Sequence, residues 1–274
     1  MDFSLLNSGL SILVGFFIGI TIGMTGIGGG ALVMPALIYI LKIPPVPAVG
    51  TSLAYAILTR IGGLIEHLRL KTIRKRTGLY FILGSAPAVL LSSQLLNQLS
   101  RKIDPAALNP ILQVSIGIVL LITCGALIFE TYFLEKLTGK SSNEHYIPRD
   151  KFPLKRKIGG ICSGIIVGSI VGATSIGGGV LLIPLLIIFF NLSASNTVGT
   201  SMMISVVLAV LGGSVYLLNG NVIILTVILM TIGSLPGVSL GSRIAVRLPE
   251  KVLKFFIIAI IGFAAVSLFF GLKR

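Results

Sequence analysis

Two six-residue stretches, TGIGGG at 25–30 and TSIGGG at 174–179, place three successive glycines inside apolar runs. Glycine weakens a helix, and it lets other groups approach the backbone closely. Each triplet leads into a short apolar segment, 30–41 and 179–191. At the start of such a helix the first N–H groups lack intrahelical partners and carry the positive end of the helix dipole, which suits an anion. The candidate binding residues are therefore Gly28, Gly29 and Gly30 in one motif and Gly177, Gly178 and Gly179 in the other. Thr25 and Thr174 add hydroxyl donors, and Thr51, Ser52, Thr200 and Ser201 complete a polar lining. The competing reading is that these small residues only permit close helix packing. The duplication of the motif at two broken helices favours binding.

One charged side chain lies deep in an apolar run: Arg60, in AILTRIGG. A charge at that depth is costly and faces either a polar cavity or a partner. It either coordinates the oxygens of an anion through its planar fork or makes a structural pair with Glu66 or backbone carbonyls. Arg243 stands at the end of its apolar segment and is expected to snorkel. Glu66 and His67 are the one carboxylate–imidazole pair beside a span, read as an interfacial cap in preference to a proton relay. Cys124 and Cys162 show no metal-ligand spacing. No catalytic residue, metal or cofactor is expected.

These residues must be positioned by membrane helices. The chain is 54% hydrophobic and 11% charged, well below the roughly 25% charge of soluble domains. Apolar runs fall at about 10–24, 30–41, 48–66, 77–96 and 109–129, then at 158–173, 179–191, 197–218, 222–242 and 252–271. A removable signal peptide is not expected, because the N-terminus lacks a basic start and a small-residue cleavage site. The +14 net charge is concentrated: five of the 22 Lys/Arg lie in 69–76, seven in 136–157 and four in 243–254. Short basic loops beside apolar spans mark the cytoplasmic side, and without interleaved aromatics they do not fit nucleic acid.

A shift of 149 lays residues 15–95 over 164–244 without a gap. Gly15, Gly19 and Gly23 meet Gly164, Gly168 and Gly172; VGTS at 49–52 meets VGTS at 198–201; GSAP at 84–87 meets GSLP at 233–236. Basic loop 67–76 lies over the uncharged LNGN at 218–221, so the charge bias alternates between the halves. The expected fold is an all-α polytopic membrane protein of two inverted-topology repeats. Each repeat is a short helical hairpin broken at its Gly-Gly-Gly turn, followed by three spans. The hairpin is preferred over two full crossings because fifteen helical residues reach only ~22 Å of a ~30 Å hydrocarbon core. The expected divisions are a first repeat at 1–129, a basic cytoplasmic linker at 130–157 and a second repeat at 158–274, with both termini outside.

The doubled glycine motif, the following VGTS and the GS-x-P segment resemble the sulfite exporter TauE/SafE family of membrane permeases, over nearly the whole chain apart from the linker. The resemblance implies a plasma-membrane transporter of sulfur-containing anions: sulfite, organosulfonates such as sulfoacetate, or thiosulfate. Helix interiors hold no acidic residue for proton coupling, and export of a monoanion needs none, so export is the simpler expectation. An anion channel and a membrane-embedded enzyme are the alternatives; the latter lacks a nucleophile or a metal cluster. The expected partners are a small anion and the lipid bilayer, with no nucleic acid and a homo-oligomer left open.

Overall fold

A computed structural model of the chain describes residues 5–25, 30–129, 154–176, 178–179, 181–190 and 194–245, together with positions 192, 259, 262 and 265. Among the described residues the regular structure is entirely helical, with no strand. In chain order the helices are α1 (Leu5–Thr25), α2 (Gly30–Pro35, continued by a π-helical turn Ala36–Ile40), α3 (Pro45–Arg69), α4 (Lys75–Lys102) and α5 (Pro105–Phe129). The second half supplies α6 (Leu154–Thr174), α7 (Leu182–Phe190), α8 (Ala194–Leu218) and α9 (Ile224–Ala245). Local chemistry sets several ends. Asp104 accepts the Ala106 N–H at 3.0 Å and precedes Pro105, which needs no donor in a first turn. Pro35 closes α2, and the ladder widens into the π-helical turn beyond it.

Among the described residues six helices are long and apolar enough to cross a membrane: α3, α4, α5, α6, α8 and α9. Their outer faces carry exposed Leu91, Leu95, Ile111 and Ile166, an apolar exterior that suits lipid. Two expected short arms are longer than the hydropathy pattern predicts. Segments 10–24 and 158–173 belong to α1 and α6, each of 21 residues, or about 31 Å. The helices extend into polar starts, Asn7 and Ser8 in one and Lys155, Arg156 and Lys157 in the other, because a helix needs no apolar residue where its end meets water. Consequently α6 begins inside the stretch read as linker. The segments after the glycine motifs are short, as expected: α2 with its π turn, and the nine residues of α7. Each half therefore pairs a 21-residue helix with a much shorter helical segment. The remaining linker and most of the last segment, 252–271, lie outside the described residues.

Glycine stripes at four-residue spacing hold the closest contacts. Gly15, Gly19 and Gly23 of α1 lie on the backbone of Met230, Ser234 and Val238 of α9. Gly233, Gly237 and Gly241 return the contact onto Ile12, Phe16 and Ile20. Likewise Gly164, Gly168 and Gly172 of α6 face Phe81, Ser85 and Val89 of α4, and Gly84 faces Ile161. In both pairs the numbers rise together, so the helices run parallel. Every one of these contacts in one pair maps onto one in the other through the 149 shift, with the two halves exchanged.

Between the pairs, α3 and α8 cross. Gly50 touches Tyr216, Gly212 and Gly213 touch Leu53, and Gly63 touches Met202. One number falls as the other rises, so this crossing is antiparallel. Two hydrogen bonds clasp it at its ends. The Ile223 N–H reaches Thr51 Oγ1 at 3.1 Å, and the Arg74 N–H reaches Thr200 Oγ1 at 3.0 Å. The core around it is apolar and closed, with Met34, Leu37, Leu53, Phe81, Ile116 and Leu186 fully buried.

Candidate functional site

The site begins where α6 stops. The Thr174 hydroxyl donates to the Ile170 carbonyl at 2.7 Å and accepts the Ile176 N–H at 3.2 Å. Ser175 takes a left-handed conformation (φ 59°), and its hydroxyl donates to Ser52 Oγ at 2.9 Å. The Gly172 carbonyl accepts from Tyr216 Oη at 2.8 Å and from Ser93 Oγ at 3.2 Å. Side chains thus satisfy backbone groups that water cannot reach at this depth. The chain turns and runs back along α3.

That return brings Gly178 to the middle of the α3–α8 crossing. A Cβ built on Gly178 would lie 3.3 Å from Arg60 Nη1 and 3.6 Å from Ser205 Oγ. The glycine is needed here for close approach, since any side chain would enter the space between those two groups. Arg60 is only 7% exposed and makes no hydrogen bond or ion pair with another described residue. Ser205 is 2% exposed, and its hydroxyl has no hydrogen-bond partner among the described residues. The helical ladder restarts just beyond, with the Ile183 N–H on the Gly179 carbonyl at 3.4 Å, and α7 follows. A buried cation and an unused hydroxyl meet at Gly178, four residues ahead of the half-length helix α7. Together they can hold an anion.

The predicted residues separate into groups. Arg60 and Gly178 come together, with Gly179 in the same turn. Thr51 and Thr200 do not join them. The crossing register sets those two threonines about 20 Å apart along the helices, where each clasps the loop of the other half. Ser201 donates back to the Val198 carbonyl at 2.9 Å, and Ser52 is engaged by Ser175. Thr25 closes α1 and Gly30 opens α2, while Gly28, Gly29 and Gly177 lie outside the described residues. Glu66 is six residues beyond Arg60 on α3. The His67 Nδ1 lies 2.8 Å from Thr72 Oγ1 and ties down the 70–74 loop.

Ser205 was not singled out in the sequence. The signal was there: it is a hydroxyl inside MMISVVLAV whose repeat counterpart is Ala56, just as the counterpart of Arg60 is Ala209. Polarity at positions where the repeat is broken marks the site better than the shared motif does.

These features define a polytopic helical membrane protein with a buried arginine beside a glycine of the turn between α6 and α7. The chain belongs to the family described as Sulfite exporter TauE/SafE, which it matches over residues 11–268. It is 34% identical over 253 residues to the probable membrane transporter protein YjnA of Bacillus subtilis (strain 168), covering 91% of this chain and 95% of that one. It is 30% identical over 261 residues to YdhB of the same organism, also described as a probable membrane transporter protein, at 95% and 100% coverage. The probable membrane transporter protein MJ0441 of Methanocaldococcus jannaschii is 27% identical over 272 residues, covering 92% of each chain. No solved structure matches the chain. The protein is a membrane transporter of the TauE/SafE family.

Proposed function

We propose that the chain is a secondary transporter that exports small sulfur-containing anions across the plasma membrane by alternating access. The substrate class is sulfite, organosulfonates such as sulfoacetate, or thiosulfate. The carrying observation is Arg60, buried without a described partner beside Gly178, ahead of α7. The family description, sulfite exporter, supplies the sulfur chemistry.

The inverted-repeat architecture is supported by the antiparallel crossing of α3 and α8, which are equivalent under the 149 shift. Equivalent helices that run in opposite directions are what two inverted halves produce. Charge orients them. The loop at 70–74 adjoins Arg69, Lys71, Arg74, Lys75 and Arg76, whereas 219–223 carries no charge, so the first is read as cytoplasmic. In a background lacking Cys124 and Cys162, a cysteine at Lys71 should label only from the cytoplasm and one at Asn219 only from outside. Labelling of both from the same face would refute the inversion.

Direction follows from energetics. One negative charge leaving a cell that is 100 mV negative inside gains about 2.3 kcal/mol, enough for roughly a 50-fold outward gradient with no co-ion. Uptake of labelled sulfite or isethionate into inverted vesicles, equivalent to cellular export, should rise with an interior-positive potential. It should persist when the proton gradient is collapsed. A flux that stops with uncoupler and ignores a potassium–valinomycin potential rejects this mechanism.

A further inference from the structure

We infer that the Arg60–Ser205 centre is built for one monoanion per chain, an organosulfonate or hydrogen sulfite, and discriminates against dianions such as sulfate and thiosulfate. The inference rests on the reading of Arg60 and Gly178 as the anion site and goes further by fixing charge, stoichiometry and a third binding residue; it narrows the proposed substrate class to its monoanions, setting aside thiosulfate and sulfoacetate, whose carboxylate adds a second charge.

The charge balance is legible in the membrane helices. Arg60 is the one cationic side chain at mid-span, and the only carboxylate on a described spanning helix is Glu66, near the end of α3. The single positive charge of Arg60 is balanced by one negative charge. A second would stay uncompensated among buried apolar side chains, where an unpaired charge is costly.

Shape agrees with charge. The guanidinium fork can hold two oxygens of a three-oxygen head group, and the unused Ser205 hydroxyl, on the facing helix, can donate to the third. Ser205 is thus a specificity residue. The repeat supplies no second copy of this chemistry, because the counterparts of Arg60 and Ser205 are Ala209 and Ala56, both buried. The two halves are alike as scaffold and unlike as binding surface.

Calorimetric titration of the detergent-purified full chain with methanesulfonate, isethionate, sulfate and thiosulfate tests this. One methanesulfonate should bind per chain, at least about tenfold more tightly than sulfate, and Ser205→Ala should weaken it severalfold. Sulfite binding should fall as pH rises through the range where hydrogen sulfite loses its proton, while methanesulfonate binding stays level. Dianions that bind as tightly as methanesulfonate, or two anions per chain, overturn the inference using wild-type protein alone. Undiminished binding by folded Ser205→Ala removes Ser205 from it. In all of those cases, loss of binding in Arg60→Ala leaves the anion-site reading standing. If wild type binds none of the four, or Arg60→Ala binds as well as wild type, the anion-site reading itself fails.

Discussion

Arg60→Ala should weaken anion binding by about 10- to 150-fold, the equivalent of roughly 1.5–3 kcal/mol for a charge-assisted hydrogen bond. Arg60→Lys keeps the charge but loses the planar fork and should weaken binding severalfold. Stability of the empty protein should move the other way. The guanidinium is 7% exposed and has no described partner, so its removal relieves an uncompensated buried charge. The anion-free variant should melt at a higher temperature than wild type, and the anion-induced rise in melting temperature should vanish. A guanidinium held by Glu66 gives the opposite pattern: Arg60→Ala lowers the stability of the empty protein, and Arg60→Ala/Glu66→Ala recovers much of the loss. Melting curves of the four proteins with and without methanesulfonate separate the two. Unchanged affinity in Arg60→Ala takes the residue out of the site.

Gly19→Val and Gly168→Val should prevent accumulation of folded protein. A Cβ at Gly19 would stand 2.5 Å from the Ser234 carbonyl oxygen, and one at Gly168 would stand 2.7 Å from the Ser85 Cα. Both obstacles are backbone, so the helices must separate; overpacking costs about 1–3 kcal/mol even where side chains can yield. Gly9, on the same helix as Gly19, has nothing within 4 Å of an added Cβ. Gly9→Ala should therefore be neutral or stabilising by up to about 1 kcal/mol, the gain of alanine over glycine in a helix. Fluorescence-detected size exclusion of the three variants checks this. Equal yields would mean that the glycine stripes do not set the helix contacts.

The helices were legible because apolar runs in lipid have few other options. Their lengths were less legible. A hydropathy pattern sees where apolar residues stop, and α6 continues through Lys155–Lys157 because lysine and arginine can sit on a helix end and reach water. The repeat also emphasised its shared residues, which drew Thr51 and Thr200 into one lining. In the fold they clasp opposite ends of the α3–α8 crossing. Ser205 was obscured for the complementary reason: comparing two halves hides what only one of them has. Pairing across halves was beyond reach, since an internal alignment shows which positions correspond and not which ones touch.

The crossed pairing bears on how the chain is made. During synthesis α1 enters the bilayer while α9, the helix its glycines fit, is still about 200 residues from being translated. Its groove of Gly15, Gly19 and Gly23 must meanwhile be shielded by lipid or by the insertion machinery, because α1 packs on no neighbour from its own half so closely. α4 waits in the same way for α6, across the basic linker. Neither half can mature as an independent module. A misplaced second-half helix would leave the first-half groove it fits unfilled, so the order of the helices ties the packing of each half to the other.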